Sequence, residues 1–507
     1  MLIGDILKNT ANRFGDRTAI ISAEPSLSYA QLDARAEQFA AGLQAAGIKP
    51  GDRVGILLRN LPEYPVAYFG AAKAGAVSVH LPLRLAPREL EYVLGKIPLA
   101  ALVADATLGE LVGMAQRFIP EGRIFCAGGA PLSRTVAFER AISANAFVPP
   151  VIAEDGPAAI LFTSGTTGYP KGAIQPHHGR WVSAQAAIAD FALTCDDVLA
   201  MASPMYHAAG LFTWYLAGVA AGATAVLLPG WDPADFIATV ERHGITGAFA
   251  VPTQLAMLVR HPAFDARRLR SLRVIAYGGA PSEPALIAEV ERALPGTRLV
   301  QNYGQTETGP LFSMQPEDRA RHPAALGRPN PLIEVRIITE GREAAVGEVG
   351  EIATRGAHLM LGYFDDPAPT KEFFRDGDGW GWTGDLAVRD ADGLITLVGR
   401  NRDTIISGAV NIYPSELERV AKLNPAIADC AAFGVPDAVW GELPALAVVR
   451  RPGATIDAAE VQAMFEGEIG RHKRPRAVYF VDALPYTPVG KLLRGELKKR
   501  FPSLTSP

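Results

Sequence analysis

Two rhythms of apolar positions alternate along the first 400 residues. Ser28 and Gln31 have the spacing of a capping box, in which two side chains satisfy backbone N–H groups at a helix start. They open a predicted helix whose apolar face is Leu32, Ala36, Phe39 and Leu43, and Gly47 stops it. Residues 53–58 form a short apolar run that predicts a buried strand. A second helix is expected over 64–74, stopped by Gly75, with a strand over 77–81 after it. Residues 158–162 predict another buried strand. Units repeated in this order predict a largely parallel sheet covered on both faces, so the fold class is α/β.

Near residue 340 the rhythm changes. The stretch 346–356 alternates and is rich in turn formers. Residues 385–390 and 394–400 flank an Asp-Ala-Asp-Gly turn and predict a β-hairpin. A smaller α+β unit follows Arg400. Its expected order is a helix (415–423), two strands (428–435 and 445–450), a helix (458–469), a strand (477–481) and a last helix (492–500).

Composition narrows the function classes. A chain of 507 residues exceeds one compact core, so two or three domains are expected. The net charge of −4 argues against nucleic acid as the main partner. Three cysteines (Cys126, Cys195, Cys430) without CxxC spacing make no disulfide framework, which suits a reducing, cytoplasmic setting. The first residues read as a short amphipathic helix and not as a signal peptide. No charged residue occurs from Ala208 to Pro229, but Gly222 breaks this run, so it reads as a buried helix and strand and not as a membrane span.

The densest chemistry lies at 163–172, TSGTTGYPKG. Here a buried strand empties into a loop of glycines, hydroxyls and one lysine: Thr163, Ser164, Gly165, Thr166, Thr167, Gly168 and Lys171. Glycines admit close backbone N–H approach to phosphate, hydroxyls donate further bonds, and lysine supplies charge. Gly172 follows Lys171 where a P-loop would have Ser or Thr, so the loop is not of that type.

Further motifs follow in order: PMYHAAG (204–210), YGGAP (277–281), NYGQTETG (302–309), WTGD (382–385), GRNRDTIISGAVNIYPSELE (399–418) and TPVGK (487–491). Together with 163–172 they closely resemble the adenylate-forming enzymes, in the acyl- and aryl-CoA synthetase branch, over nearly the whole chain. The resemblance implies a large N-terminal domain (1–401) of layered sheets and helices, including a distorted β-barrel subdomain. A small mobile α+β domain (402–507) follows, with the active site between the two. It implies ATP and Mg²⁺ as cofactors, CoA as cosubstrate, and a two-step ligase reaction through an acyl-adenylate.

By motif position, the resemblance places the nucleotide on the 163–171 loop, Gly279, Ala280, Asn302, Tyr303, Gly304 and Thr306, with Asp385 and Arg400 at the ribose. Glu307 is the implied Mg²⁺ ligand, and Lys491 the lysine of adenylation. Thr306 is implied at the α-phosphate and His207 beside the acid's carboxylate. The acid pocket is implied to comprise Trp181, His207, Ala208, Trp214, Phe249, Gly278, Gly279, Ala280 and Leu311. These residues are apolar apart from His207, so an uncharged apolar acid is expected, benzoate-like or a fatty acid.

For the second step the resemblance implies rotation of the small domain about Arg402, where relatives carry Lys or Asp. The CoA-facing residues would be Gly408, Ala409, Trp440, Arg471, Lys473, Arg474 and Arg476. Ala409 stands where relatives have glycine, and its methyl group would narrow a pantetheine tunnel. An acid:AMP ligase that delivers to a carrier protein is therefore a second reading, and a non-catalytic nucleotide- or acyl-binding regulator a third. A homodimer is left open.

Overall fold

A computed structural model describes residues 1–22, 26–163, 170–407, 410–437, 439–486 and 492–502. The chain divides into two compact units. The first is Met1–Val335 with Thr354–Trp382, and the second is Arg336–Ala353 with Thr383–Pro507. The expected junction at Arg402 lies inside the second unit, because the hairpin before it groups with the C-terminal residues.

The first unit contains two large sheets. One has nine strands, with Arg298–Gln305, Val274–Gly278, Gly247–Ala250, Val198–Met201, Thr224–Leu227 and Thr18–Ile21 parallel in that spatial order. The other has eight, running parallel from Pro157–Thr163 through Val77–His80 and Arg53–Leu57 to Ala101–Asp105 and Ile124–Ala127. Antiparallel strands close its near edge, Lys171–Pro176 and then Gly362–Tyr363. The strands buried on both faces are the continuous apolar runs of the sequence, as expected of covered parallel sheets.

The predicted capping box forms: Gln31 N donates to Ser28 Oγ at 3.2 Å, and Ser28 N donates to Gln31 Oε1 at 2.8 Å. The helix Tyr29–Ala45 buries Leu32, Ala36, Phe39 and Leu43. It packs on Glu63–Lys73 at Gly70, where a Cβ would come within 2.7 Å of the Ala36 carbonyl oxygen. Lys73, almost fully buried, joins the two helices by ion pairs to Asp33 (2.7 Å) and Glu37 (3.0 Å).

The charge-free segment Ala208–Pro229 is a buried helix and strand as expected, but Ala209–Leu216 is wound as a π-helix. It continues as Ala217–Ala221 and ends at Gly222 with φ +82° before the strand Thr224–Leu227. Among the described residues no helix is long and apolar enough to cross a membrane.

The second unit begins with a five-stranded sheet, in the place of the implied barrel-like subdomain. It contains the predicted hairpin Gly381–Arg389 and Ile395–Arg400, turned at Gly393 with φ +81°. A second sheet pairs Ile427–Asp437 antiparallel with Gly441–Arg450, and Ala477–Phe480 parallel with the latter. It adds the hairpin Ile405–Ser407 and Val410–Ile412, which the pattern did not predict. The helix expected over 458–469 spans only Ala458–Ala463. Gly467, at φ +80°, breaks the periodicity, although Phe465 and Ile469 remain buried.

Candidate active site

Three motifs and Phe249 meet at one end of the nine-stranded sheet. Pro204–Gly210, Phe249, Gly278–Ala280 and the turn after Gln305 all lie at or beyond the carboxyl ends of neighbouring strands. Strand order also switches here. From Val198–Met201 the chain passes to Thr224–Leu227 on one side and then to Gly247–Ala250 on the other. Open α/β sheets bind ligands in the crevice outside such a switch.

Glycines fix this region by close approach. Gly278 pairs with Asn302, and a Cβ on Gly278 would collide with the Asn302 carbonyl oxygen. Gly279 takes φ +78°. A Cβ on Gly304 would collide with the Gly309 carbonyl oxygen, where the strand register shifts. Gly309 has φ +65°, and a Cβ there would meet Ser183 Oγ at 2.8 Å and Arg180 Nη1 at 3.3 Å. Arg180 is fully buried. It donates to the His358 carbonyl, its guanidinium lies 5.2 Å from the Phe212 ring centre, and burial pushes its pKa down to about 10. Nothing in the pattern around Arg180 signalled a buried charge.

Between Gln305 and Gly309 the chain turns, presenting Thr306 and Glu307. Gln175 donates to the Thr306 carbonyl at 3.1 Å, and Met360 N donates to the Glu307 carbonyl at 2.9 Å. The Tyr363 hydroxyl donates to Glu307 Oε1 at 2.7 Å. Burial, then the Glu307 charge, raises the Tyr363 pKa well above the usual phenol value. Lys171 Nζ sits 5.4 Å from the centre of the Tyr363 ring. Tyr363 was missed from sequence, since it lies 56 residues from Glu307.

Thr163 and Lys171 pair as the ends of two antiparallel strands. Ser164, Gly165, Thr166, Thr167 and Gly168 lie outside the described residues. Tyr303 is half-buried and backs onto Phe312, with ring centres 5.4 Å apart. Asn302 is 9% exposed, and its Nδ2 finds no hydrogen-bond partner among the described residues.

Of the expected acid-pocket residues, Trp181, His207, Ala208 and Ala280 keep some exposure. The His207 ring lies 4.6 Å from that of Tyr206. Trp214 and Leu311 do not line open space. Trp214 is 1% exposed, donates to the Ala200 carbonyl at 3.0 Å and packs between Phe191 and Phe249; Leu311 is 0% exposed. Large apolar side chains in this sheet are consumed by the core, so these two shape a pocket only from behind.

In the second unit, Asp385 faces Arg400 across the hairpin, with Arg400 Nε 3.0 Å from Asp385 Oδ1. Asp385 is 3% exposed. Glu351, also missed from sequence, ties the two motifs: it accepts from Gly384 N at 3.1 Å and from Asn401 Nδ2 at 3.4 Å. Arg402 is half exposed in the turn Asn401–Asp403, its Nε 3.8 Å from Asp403 Oδ1.

Gly408 and Ala409 lie outside the described residues, between paired Ser407 and Val410. Ser407 also pairs with Gly441, which brings the exposed Trp440 beside this hairpin. The basic group is less free than its sequence suggested. Lys473 pairs with Glu416 (3.1 Å), while Arg474 donates to the Ile469 carbonyl and lies 3.6 Å from Glu466. Arg471 and Arg476 are exposed. Lys491 lies outside the described residues, but its flanks are pinned. Tyr486 bridges to Leu492, Leu493 N donates to the Pro485 carbonyl at 2.8 Å, and the Tyr486 hydroxyl donates to Asp429 at 2.6 Å.

Among the described residues no three His, Cys, Asp or Glu side chains gather as a metal cage. Glu307, held by the Tyr363 phenol whose ring carries Lys171, fits a hard cation that takes its other oxygens from phosphate.

A protein-family model described as "AMP-binding enzyme" matches residues 7–364, and one described as "AMP-binding enzyme C-terminal domain" matches 416–491. A feruloyl-CoA synthase from Amycolatopsis sp is 34% identical over 492 residues, 96% of each chain. An indoleacetate–CoA ligase from Aromatoleum aromaticum is 34% identical over 488 residues, 95% of each. The crystal structure of ATP-bound MatB from Rhodopseudomonas palustris superposes with TM-score 0.87 at 31% identity, covering 99% of each chain.

Proposed function

The chain belongs to the AMP-binding enzyme family and is an ATP-dependent acid:CoA ligase; we propose that its acid is apolar and aryl-bearing, and that the residues above carry the two steps. The observation that carries the reading is the turn Thr306–Glu307, with Lys171 beside it, beyond the carboxyl end of a strand of the nine-stranded sheet. The names of the two relatives and the partly exposed Trp181 support an aryl acid.

In the first step a carboxylate oxygen attacks the α-phosphorus, a new O–P bond forms, and pyrophosphate leaves. The attacking acid is ionised at neutral pH and needs no base. His207 therefore serves to orient it. Thr306 donates to the α-phosphate, and Lys171 with the 163–168 hydroxyls and backbone holds the other phosphates. Lys491 offsets repulsion between the two anions. Tyr303 offers a stacking face, and Asn302 Nδ2 is a buried donor to which adenine would supply the missing acceptor. Asp385, held by Arg400, accepts from the ribose. A Mg²⁺ ion on Glu307 would neutralise phosphate charge as pyrophosphate departs.

In the second step the CoA sulfur attacks the acyl carbon and AMP leaves. Trp440 gives CoA an apolar face in the second unit, with the exposed Arg471 and Arg476 to meet its phosphates. The small domain carrying Lys491 is proposed to turn at Arg402 between the steps. Trp440→Ala is expected to raise KM for CoA about tenfold, since one aromatic stacking contact is worth about 1–3 kcal/mol. Adenylate formation without CoA should stay unchanged. An unaltered KM for CoA would remove Trp440 from the thiol site.

Acid class is tested by kcat/KM across benzoates, arylpropenoates, arylacetates and fatty acids of short to long chain. The aryl acids are expected to lead. A long-chain acid leading by tenfold or more would overturn the aryl reading while leaving the ligase intact.

A further inference from the structure

We infer that Tyr363 is the positioning residue that presents Glu307 to the divalent cation while its ring keeps Lys171 available for the nucleotide. The inference rests on the reading of Glu307 as the cation's ligand.

The main chain of the turn is already secured without the phenol, by Gln175 to the Thr306 carbonyl and Met360 N to the Glu307 carbonyl. The Tyr363 bond to Glu307 Oε1 therefore fixes the carboxylate itself and engages one of its two oxygens. Tyr363 is fixed in turn by its strand, which pairs it with Ala173, two residues from Lys171.

The choice of a phenol is chemically specific. A carboxylate beside a phosphate-binding lysine would ordinarily pair with it, and both charges would be spent. Here the ammonium lies over the aromatic face and the carboxylate accepts from the hydroxyl, so anion and cation are each held by a neutral partner. A cationic partner for Glu307 would repel the metal, whereas a neutral donor orients the ligand without competing, as outer-shell groups at metal sites do.

The test uses full-length wild type, Tyr363→Phe, Tyr363→Leu and Glu307→Gln. Mn²⁺ binding in the presence of a non-hydrolysable ATP analogue is followed by loss of the free-ion electron paramagnetic signal. KM values for ATP, acid and CoA are measured alongside, with thermal melts to verify the fold. Tyr363→Phe is expected to weaken Mn²⁺ binding about tenfold and leave the KM values for acid and CoA unchanged. Tyr363→Leu should add a rise of about two- to fivefold in KM for ATP, because it also removes the ring under Lys171. Mn²⁺ affinity in Tyr363→Phe within twofold of wild type overturns the carboxylate half, provided Glu307→Gln is impaired. An ATP KM equal in the Phe and Leu variants overturns the lysine half. Wild-type affinity in Glu307→Gln would overturn the metal reading of Glu307, and this inference with it.

Discussion

Lys491→Ala is expected to lower acyl-adenylate formation by about 10³-fold or more while thioester formation from supplied acyl-adenylate stays within a few-fold of wild type. The size follows from the chemistry. Two anions must be brought together before any bond forms, and a fixed charge aimed at that arrangement is worth about 10²–10³ in rate even for one neutral donor. The asymmetry follows because the second step presents a neutral thioester-forming centre, with the phosphate already in the leaving group. The flanks of Lys491 suit precise delivery: the Tyr486–Leu492 bridge and the Leu493 N to Pro485 bond tie together the described residues on either side of it. Arg494 then fixes the following helix through Glu418 and through Asp403, 3.4 Å away. Quenched-flow detection of acyl-adenylate and acyl-CoA separates the steps. An equal loss in both would mean that Lys491 supports the fold or both reactions, against a role confined to adenylation.

Gly304→Ala is the second large effect. Its Cβ has no room, because the Gly309 carbonyl oxygen occupies that volume, so the turn between the two glycines must open. That displaces Tyr303 on one side and Thr306 with Glu307 on the other. A shift of about 1 Å at such groups costs about 10²-fold in rate. Adenylate formation is expected to fall by about that factor with every acid tested. The melting temperature should fall by only a few degrees, since the displaced segment is one turn of a large unit. Retained adenylation in a folded Gly304→Ala protein would show that the turn tolerates opening and does not position the chemistry.

Much of this was legible in the chain because it is local. The capping box at Ser28 and Gln31, the glycine stops at 47 and 75, and the hairpin turn at Gly393 each use neighbouring residues, so spacing alone predicts them. What escaped was either a matter of winding or of long-range pairing. A π-helix over Ala209–Leu216 leaves no trace in a stretch that is apolar on every face. The helix begun at Ala458 stops at Ala463, although its apolar spacing runs on to Ile469. Tyr363 and Glu351 act across strand pairings and loops, and neither sits in a motif that announces a carboxylate partner. Trp214, expected at a pocket wall, is buried among Phe191 and Phe249, which spacing alone does not reveal.

The central claim is a two-step ligase with a discrete acyl-adenylate. Its most direct test is a single-turnover reaction of the purified protein with ATP, Mg²⁺ and its best acid, first without CoA and then chased with it. The account predicts acyl-adenylate and pyrophosphate in about equal amounts before the chase, then conversion of the acyl group to acyl-CoA with release of AMP. Acyl-adenylate that survives the CoA chase but transfers to a carrier phosphopantetheine would contradict the CoA step and return attention to Ala409. ATP binding with no pyrophosphate from any acid would contradict the ligase altogether.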